Sequence, residues 1–122
     1  MSGRYSRNKG KRGERAAVAM LREALDGMVD PAVIRRGYQA RGGREEADVV
    51  VPHLHVECKW QERPNIHAAL AQLERDMAEK VGFVIAKRAR EKPLVAMRWE
   101  HFVPLLRAYY AHVMKGDDDA IS

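Results

Sequence analysis

Residues 48–60 read DVVVPHLHVECKW: three β-branched residues, a proline, then a regular alternation of side-chain character. That pattern fits pleated strands and excludes a helix, whose apolar stripe recurs every three or four residues. Pro52 has no N–H to give to a ladder, so the run divides there. Two strands are predicted, Asp48–Val51 and His53–Trp60, folded back on one another at Pro52-His53. Alternation puts Leu54, Val56, Cys58 and Trp60 on one face and His53, His55, Glu57 and Lys59 on the other. A two-residue turn pairs residues whose numbers sum to 105, so Val51 meets Leu54, Val50 meets His55, Val49 meets Val56 and Asp48 meets Glu57. A longer loop would shift this register.

Directly opposed side chains have Cβ atoms about 4.5–5.5 Å apart, and two carboxylates held so repel unless something positive lies between them. A divalent cation that prefers oxygen ligands, Mg²⁺ or Mn²⁺, is the natural candidate. The competing reading is a solvated face tied by salt bridges, with Lys59 only the ion-pair partner of Glu57. Zinc is disfavoured, because Cys58 points away from His53 and His55 in a regular strand and a fourth ligand is not evident.

A leading helix is predicted from Gly13, with Ala17, Val18, Leu21, Ala24, Leu25 and Met28 on one stripe and an end at Gly27 and Asp30-Pro31. Glu14 lies in line with that stripe at the first turn, an unusual place for a charge unless it serves the helix N-terminus. Val33-Ile34 can open a strand. Asn65 is a plausible cap for a helix over 66–80, which carries Ile66, Ala69, Leu70, Leu73 and Met77 on its apolar face. GFVIAK and LVAMRW supply two more strands, and a last amphipathic helix over 100–114 runs through Phe102, Leu105, Leu106, Tyr109 and Val113. The order helix, strands, helix, strand, strand, helix predicts an α/β fold, a mixed sheet flanked by helices.

Charge is placed unevenly. Residues 1–44 balance at +7 and residues 45–122 at −2, which together make the net +5. A basic front half points to a polyanionic partner. Arg4, Arg7, Lys9, Lys11 and Arg12 form an acid-free segment, read as a flexible basic arm over 1–12. Residues 13–114 are expected to form a single domain, and the acidic 115–122 a frayed tail. No apolar run approaches the ~20 residues of a membrane span, and the basic N-terminus has no apolar segment behind it. The single cysteine, Cys58, cannot form an internal disulfide, so a reducing, cytoplasmic setting is expected.

Glu14 on a leading helix, Asp48 before a short hairpin, and V-E57-C-K59 on its second strand resemble the PD-(D/E)xK nuclease superfamily. The spacing of nine residues from Asp48 to Glu57 fits that family, although Ala47 stands where a proline often precedes the aspartate. The opening KGKRGERAAVAMLREAL is similar to the start of archaeal-type Holliday junction resolvases. The resemblance implies a restriction-endonuclease-like α-β-β-β-α-β core with an extra C-terminal helix. It implies that Asp48, Glu57 and the backbone carbonyl of Cys58 bind Mg²⁺, with Mn²⁺ as an alternative, and that Glu14 completes the shell. Lys59 would orient or deprotonate the attacking water or stabilise charge on the phosphate, and Gln72 matches a glutamine often near such sites. DNA is the implied partner, branched DNA in the resolvase-like case, bound through the basic arm together with Arg41 and Arg44. A homodimer is implied, with Tyr109-Tyr110 and the last helix as its interface, and no small-molecule cofactor. The alternatives are a phage or restriction-like nuclease acting on linear, flap or single-stranded DNA, and a non-catalytic DNA-binding protein on the same fold.

Overall fold

The computed structural model describes residues 3–37, 47–77 and 80–121. Its elements in chain order are α1 (Gly3–Ala24), a 3-10 turn (Pro31–Val33), β1 (Arg35–Arg36), β2 (Val49–Val51), β3 (Leu54–Trp60), α2 (Ile66–Asp76), β4 (Val81–Lys87), β5 (Leu94–Ala96) and α3 (Trp99–Ile121). The five strands form one sheet in the order β1-β2-β3-β4-β5. β3 and β4 run parallel, and every other neighbouring pair is antiparallel. The α/β class and the mixed sheet flanked by helices are as the sequence predicts. No helix among the described residues is long and apolar enough to cross a membrane.

The hairpin has the expected register: Val49 pairs with Val56, Val50 with His55 and Val51 with Leu54. Pro52 fixes its own φ near −65°, and His53 takes φ 67°, the φ pattern of a type II turn. The turn therefore holds a non-glycine residue in the left-handed region.

The two faces of the sheet carry separate cores. On one, α1 lays Ala17 and Val18 over Ile34, Val49, Val51, Val56 and Ile85, with Leu54, Cys58 and Trp60 packed at the margin. On the other, α2 lays Ala69, Leu70 and Leu73 against Val84. Asn65 caps α2 as expected, its side-chain oxygen accepting from the N–H of Ala68 at 3.0 Å. The parallel crossover then sets Glu57 beside Val84 and Lys59 beside Ala86.

Several helix boundaries differ from expectation. α1 begins at Gly3, so residues 3–12, read from composition as an arm, are helical. α1 also stops at Ala24, short of the predicted Met28, which is 81% exposed beyond the turn at Gly27 (φ 81°). α3 runs on to Ile121, through most of the segment read as a frayed tail. Its apolar stripe is largely uncovered: Phe102 is 39%, Leu105 41% and Tyr109 62% exposed. Where α2 was expected to reach residue 80, it ends at Asp76 with Met77 as cap.

Gly13 sets how closely α1 crosses the sheet. A Cβ built there falls 2.8 Å from Cγ and 2.9 Å from Cδ2 of Trp60. A flat indole pinned against a helix cannot yield cheaply, so Gly13→Ala is expected to cost about 1–3 kcal/mol through overpacking, despite its better helix propensity. Urea denaturation measures this; a variant as stable as the parent refutes the tight crossing.

Candidate active site

The site arises from a mismatch in strand length. The β2 ladder ends at Val49 opposite Val56, while β3 continues to Trp60 alongside β4. Beyond that point the N–H of Cys58 donates to Oδ2 of Asp48 at 2.9 Å. Asp48 is thereby turned across the end of the hairpin, and its carboxyl is hydrogen-bonded to that of Glu57. The pairing predicted from the count is thus made through side chains, one step past the last backbone bridge.

This contact sets the protonation of both acids. Burial first, then the hydrogen bond to Glu57 and that residue's charge, push Asp48 from 3.8 up to about 7 against the opposing effect of the Cys58 N–H. Burial also works to raise Glu57, but hydrogen bonds from His55 and Asp48, aided by the charge of Lys59, outweigh it and hold Glu57 below the usual carboxylate range. The two acids thus divide into a proton holder and an anion, as closely placed carboxyl groups do.

Alternation alone gives His55 only a face of the strand. It is 6% exposed, and its Nε2 is 2.9 Å from Oε1 of Glu57, so it fixes that carboxylate's orientation. The signal was present in the sequence: alternation makes residues 55 and 57 neighbours on one face. Lys59 shares that face two residues further on. Among the described residues its ammonium is in no ion pair within 4 Å.

Glu14 reaches the same end of the sheet from α1. Its charge acts on both Asp48 and Cys58, while its Oε2 accepts from Nη2 of Arg36 at 3.3 Å. Arg36 in turn pairs with Val49 in the ladder, and the N–H of Gly37 donates to the Asp48 carbonyl at 3.0 Å. No sequence pattern pairs Arg36 with Glu14. The thiol of Cys58 lies on the α1 side against apolar neighbours, and burial, followed by the charges of Asp48, Glu14 and Glu57, pushes its pKa up. Its thiol is therefore a poor anion, and only its backbone faces the acids' chemistry.

Gln72 is not brought to the acids: it is exposed on α2, and neither Asp48 nor Glu57 interacts with it. Lys11 and Arg12 are exposed on α1, Arg12 beside Trp60, Glu62, Lys87 and Arg88. Arg4, Arg7 and Lys9 fall within the helical span of α1. Arg41 and Arg44 lie outside the described residues. Tyr109 and Tyr110 stack edge to face and are 62% and 58% exposed.

Among the described residues no group of three or more His, Cys, Asp or Glu side chains is arranged to hold a metal ion. The donor chemistry of the pair itself still suits a hard divalent cation: two carboxyl oxygens share a half-buried notch in which one negative charge is suppressed by a proton. Comparison of the chain with protein-family models, with curated proteins and with solved structures gave no match.

Proposed function

We propose that this chain is a divalent-metal-dependent DNA endonuclease of the PD-(D/E)xK type. The observation that carries the reading is the contact of the Asp48 and Glu57 carboxyl groups across the end of the hairpin, with Lys59 next on the same face. A folding domain gains nothing from two touching acids; a site that needs a cation does. Asp48, Glu57 and the Cys58 carbonyl would hold Mg²⁺ or Mn²⁺, with Glu14 joining the shell. The chemistry supplied by such a cation is neutralisation of phosphate charge and activation of water.

The chain's own groups have separable tasks. The Cys58 N–H and the His55 ring hold the two carboxylates in fixed orientations, as a site built on rigid strands requires. Lys59 offers a positive charge to the oxygens of a phosphate as negative charge builds on it. The basic face of α1 supplies sequence-independent attraction to the DNA backbone. Branched DNA is the substrate class this reading takes from the resolvase resemblance, and a dimer joined through the uncovered face of α3 would present two sites to it.

One observation favours a second reading, a DNA-binding protein without catalysis: Glu14 is engaged by Arg36, and among the described residues two acidic side chains, Asp48 and Glu57, meet in the notch. The two are separated by incubating the chain with four-way junction, flap, duplex and single-stranded DNA in Mg²⁺ and in EDTA. Cleavage in Mg²⁺ alone supports the nuclease. Binding in both with no product from any substrate leaves the second reading.

A further inference from the structure

α1 and β1 border a groove of about 360 Å³ lined by Arg15, Val18, Ala19, Arg22, Arg35 and Arg36. We infer that this groove is a binding track for the phosphodiester backbone of the nucleic acid, leading to the carboxylate notch. The inference rests on the nuclease reading and deepens it by assigning a second, non-catalytic contact surface.

Arg15 and Arg22 are seven residues apart on α1, hence on one side of the helix and about 10.5 Å apart along its axis. That separation suits a run of charges rather than a single phosphate. Between them the helix presents Val18 and Ala19, short side chains that let a strand approach closely. Arg22 is held rigid: Nε donates to the carbonyls of Pro31 (3.0 Å) and Ile34 (3.1 Å), and Nη2 donates to Ile34 (2.7 Å). Those acceptors are neutral, so the guanidinium is positioned without losing its charge. Arg15 is exposed and has no carboxylate partner within 4 Å among the described residues. The acids nearest in sequence are Glu14, taken up by Arg36, and Glu23 on the following helical position.

Arg36 ties the groove to the notch. It holds Glu14 and pairs with Val49, next in sequence to Asp48. A backbone lying against Arg22 and Arg15 therefore runs toward the paired acids. A planar guanidinium fork is the side chain best matched to phosphate oxygens, and backbone contacts of this kind position a duplex without reading its sequence.

The test is fluorescence-anisotropy titration of a labelled 20-base-pair duplex in EDTA over a range of salt, using the full chain. Ala19→Glu, which puts an acid on the exposed floor of the groove, is expected to weaken binding about tenfold. Arg15→Ala is expected to weaken it several-fold and reduce the slope of log K against log salt by about one. Lys92→Ala, which removes one exposed charge in the β4–β5 loop, is expected to bind within twofold of the parent. Unchanged binding by the two groove variants overturns the inference, as does an equal loss in Lys92→Ala. So does a groove-dependent affinity for polyglutamate that DNA does not share, which would mark an acidic protein partner. Because no cleavage is measured, groove-dependent DNA binding stands even where Mg²⁺ yields no product, and that pairing of results would sink the nuclease alone.

Discussion

Glu57→Ala is expected to lower Mg²⁺-dependent DNA cleavage by at least about a thousandfold, and Lys59→Ala by about a hundred- to a thousandfold. The first figure follows from removing one of the two carboxylates of the notch: among the described residues the next acid is Glu14, which is tied to Arg36. The second is the usual effect of deleting one group that meets charge developing in a transition state. Neither change should unfold the protein. Glu57→Ala leaves the His55 ring without its acceptor but relieves the repulsion at Asp48, and Lys59→Ala breaks no ion pair among the described residues. Steady-state cleavage of a labelled junction or duplex, beside a melting curve for each variant, decides the matter. Parental rates in either folded variant remove these residues from the chemistry.

Asp48→Asn is expected to do the opposite to stability. In the metal-free protein, Asp48 titrates near 7 rather than 3.8. A carboxyl whose pKa is raised on folding contributes stability that is fully present below its unfolded value and is lost as pH rises through the folded one. The parent should therefore weaken between about pH 4 and pH 7. A rise of that size corresponds to roughly 4 kcal/mol, and the lowering of Glu57, which favours the folded state as pH rises, offsets part of it. A net gain of about 2 kcal/mol for Asp48→Asn at pH 8 is the expectation. The asparagine carbonyl still accepts from Cys58, and its NH₂ can donate to Glu57 without a charge. In thermal melts this is a rise of roughly 8 °C at pH 8 that vanishes near pH 4. Adding Mg²⁺ should stabilise the parent and leave the variant unmoved. An Asp48→Asn protein that melts with or below the parent at pH 8 would show that the two carboxyls do not strain one another.

How much of this was legible beforehand depended on how local the cause was. The hairpin register followed from period-two alternation and one proline, and it carried Asp48 to Glu57 because nothing long-range enters that count. The α2 cap followed from Asn65 for the same reason. The pairing of Glu14 with Arg36 could not be seen, since it depends on how α1 crosses the sheet, which the Gly13–Trp60 contact sets. The helical state of residues 3–12 was missed because the segment has no apolar stripe and so offers no periodicity to read. The stripe on α3 is real: an amphipathic pattern reports that a face seeks apolar cover, and Tyr109 and Leu105 remain 62% and 41% exposed. Gln72 lies on the side of α2 that turns to water.

The hairpin also bears on the order in which the protein folds. Closing Val49–Val51 on Leu54–Trp60 requires only a two-residue turn, an event of microseconds. The parallel union of β3 with β4 must wait for the α2 crossover, a far costlier loop closure. The two acids are thus brought together early, before the α2 layer can shield them from water. Their mutual repulsion is set against the closing of this turn, and acid or a divalent cation should speed refolding as well as steady the finished fold.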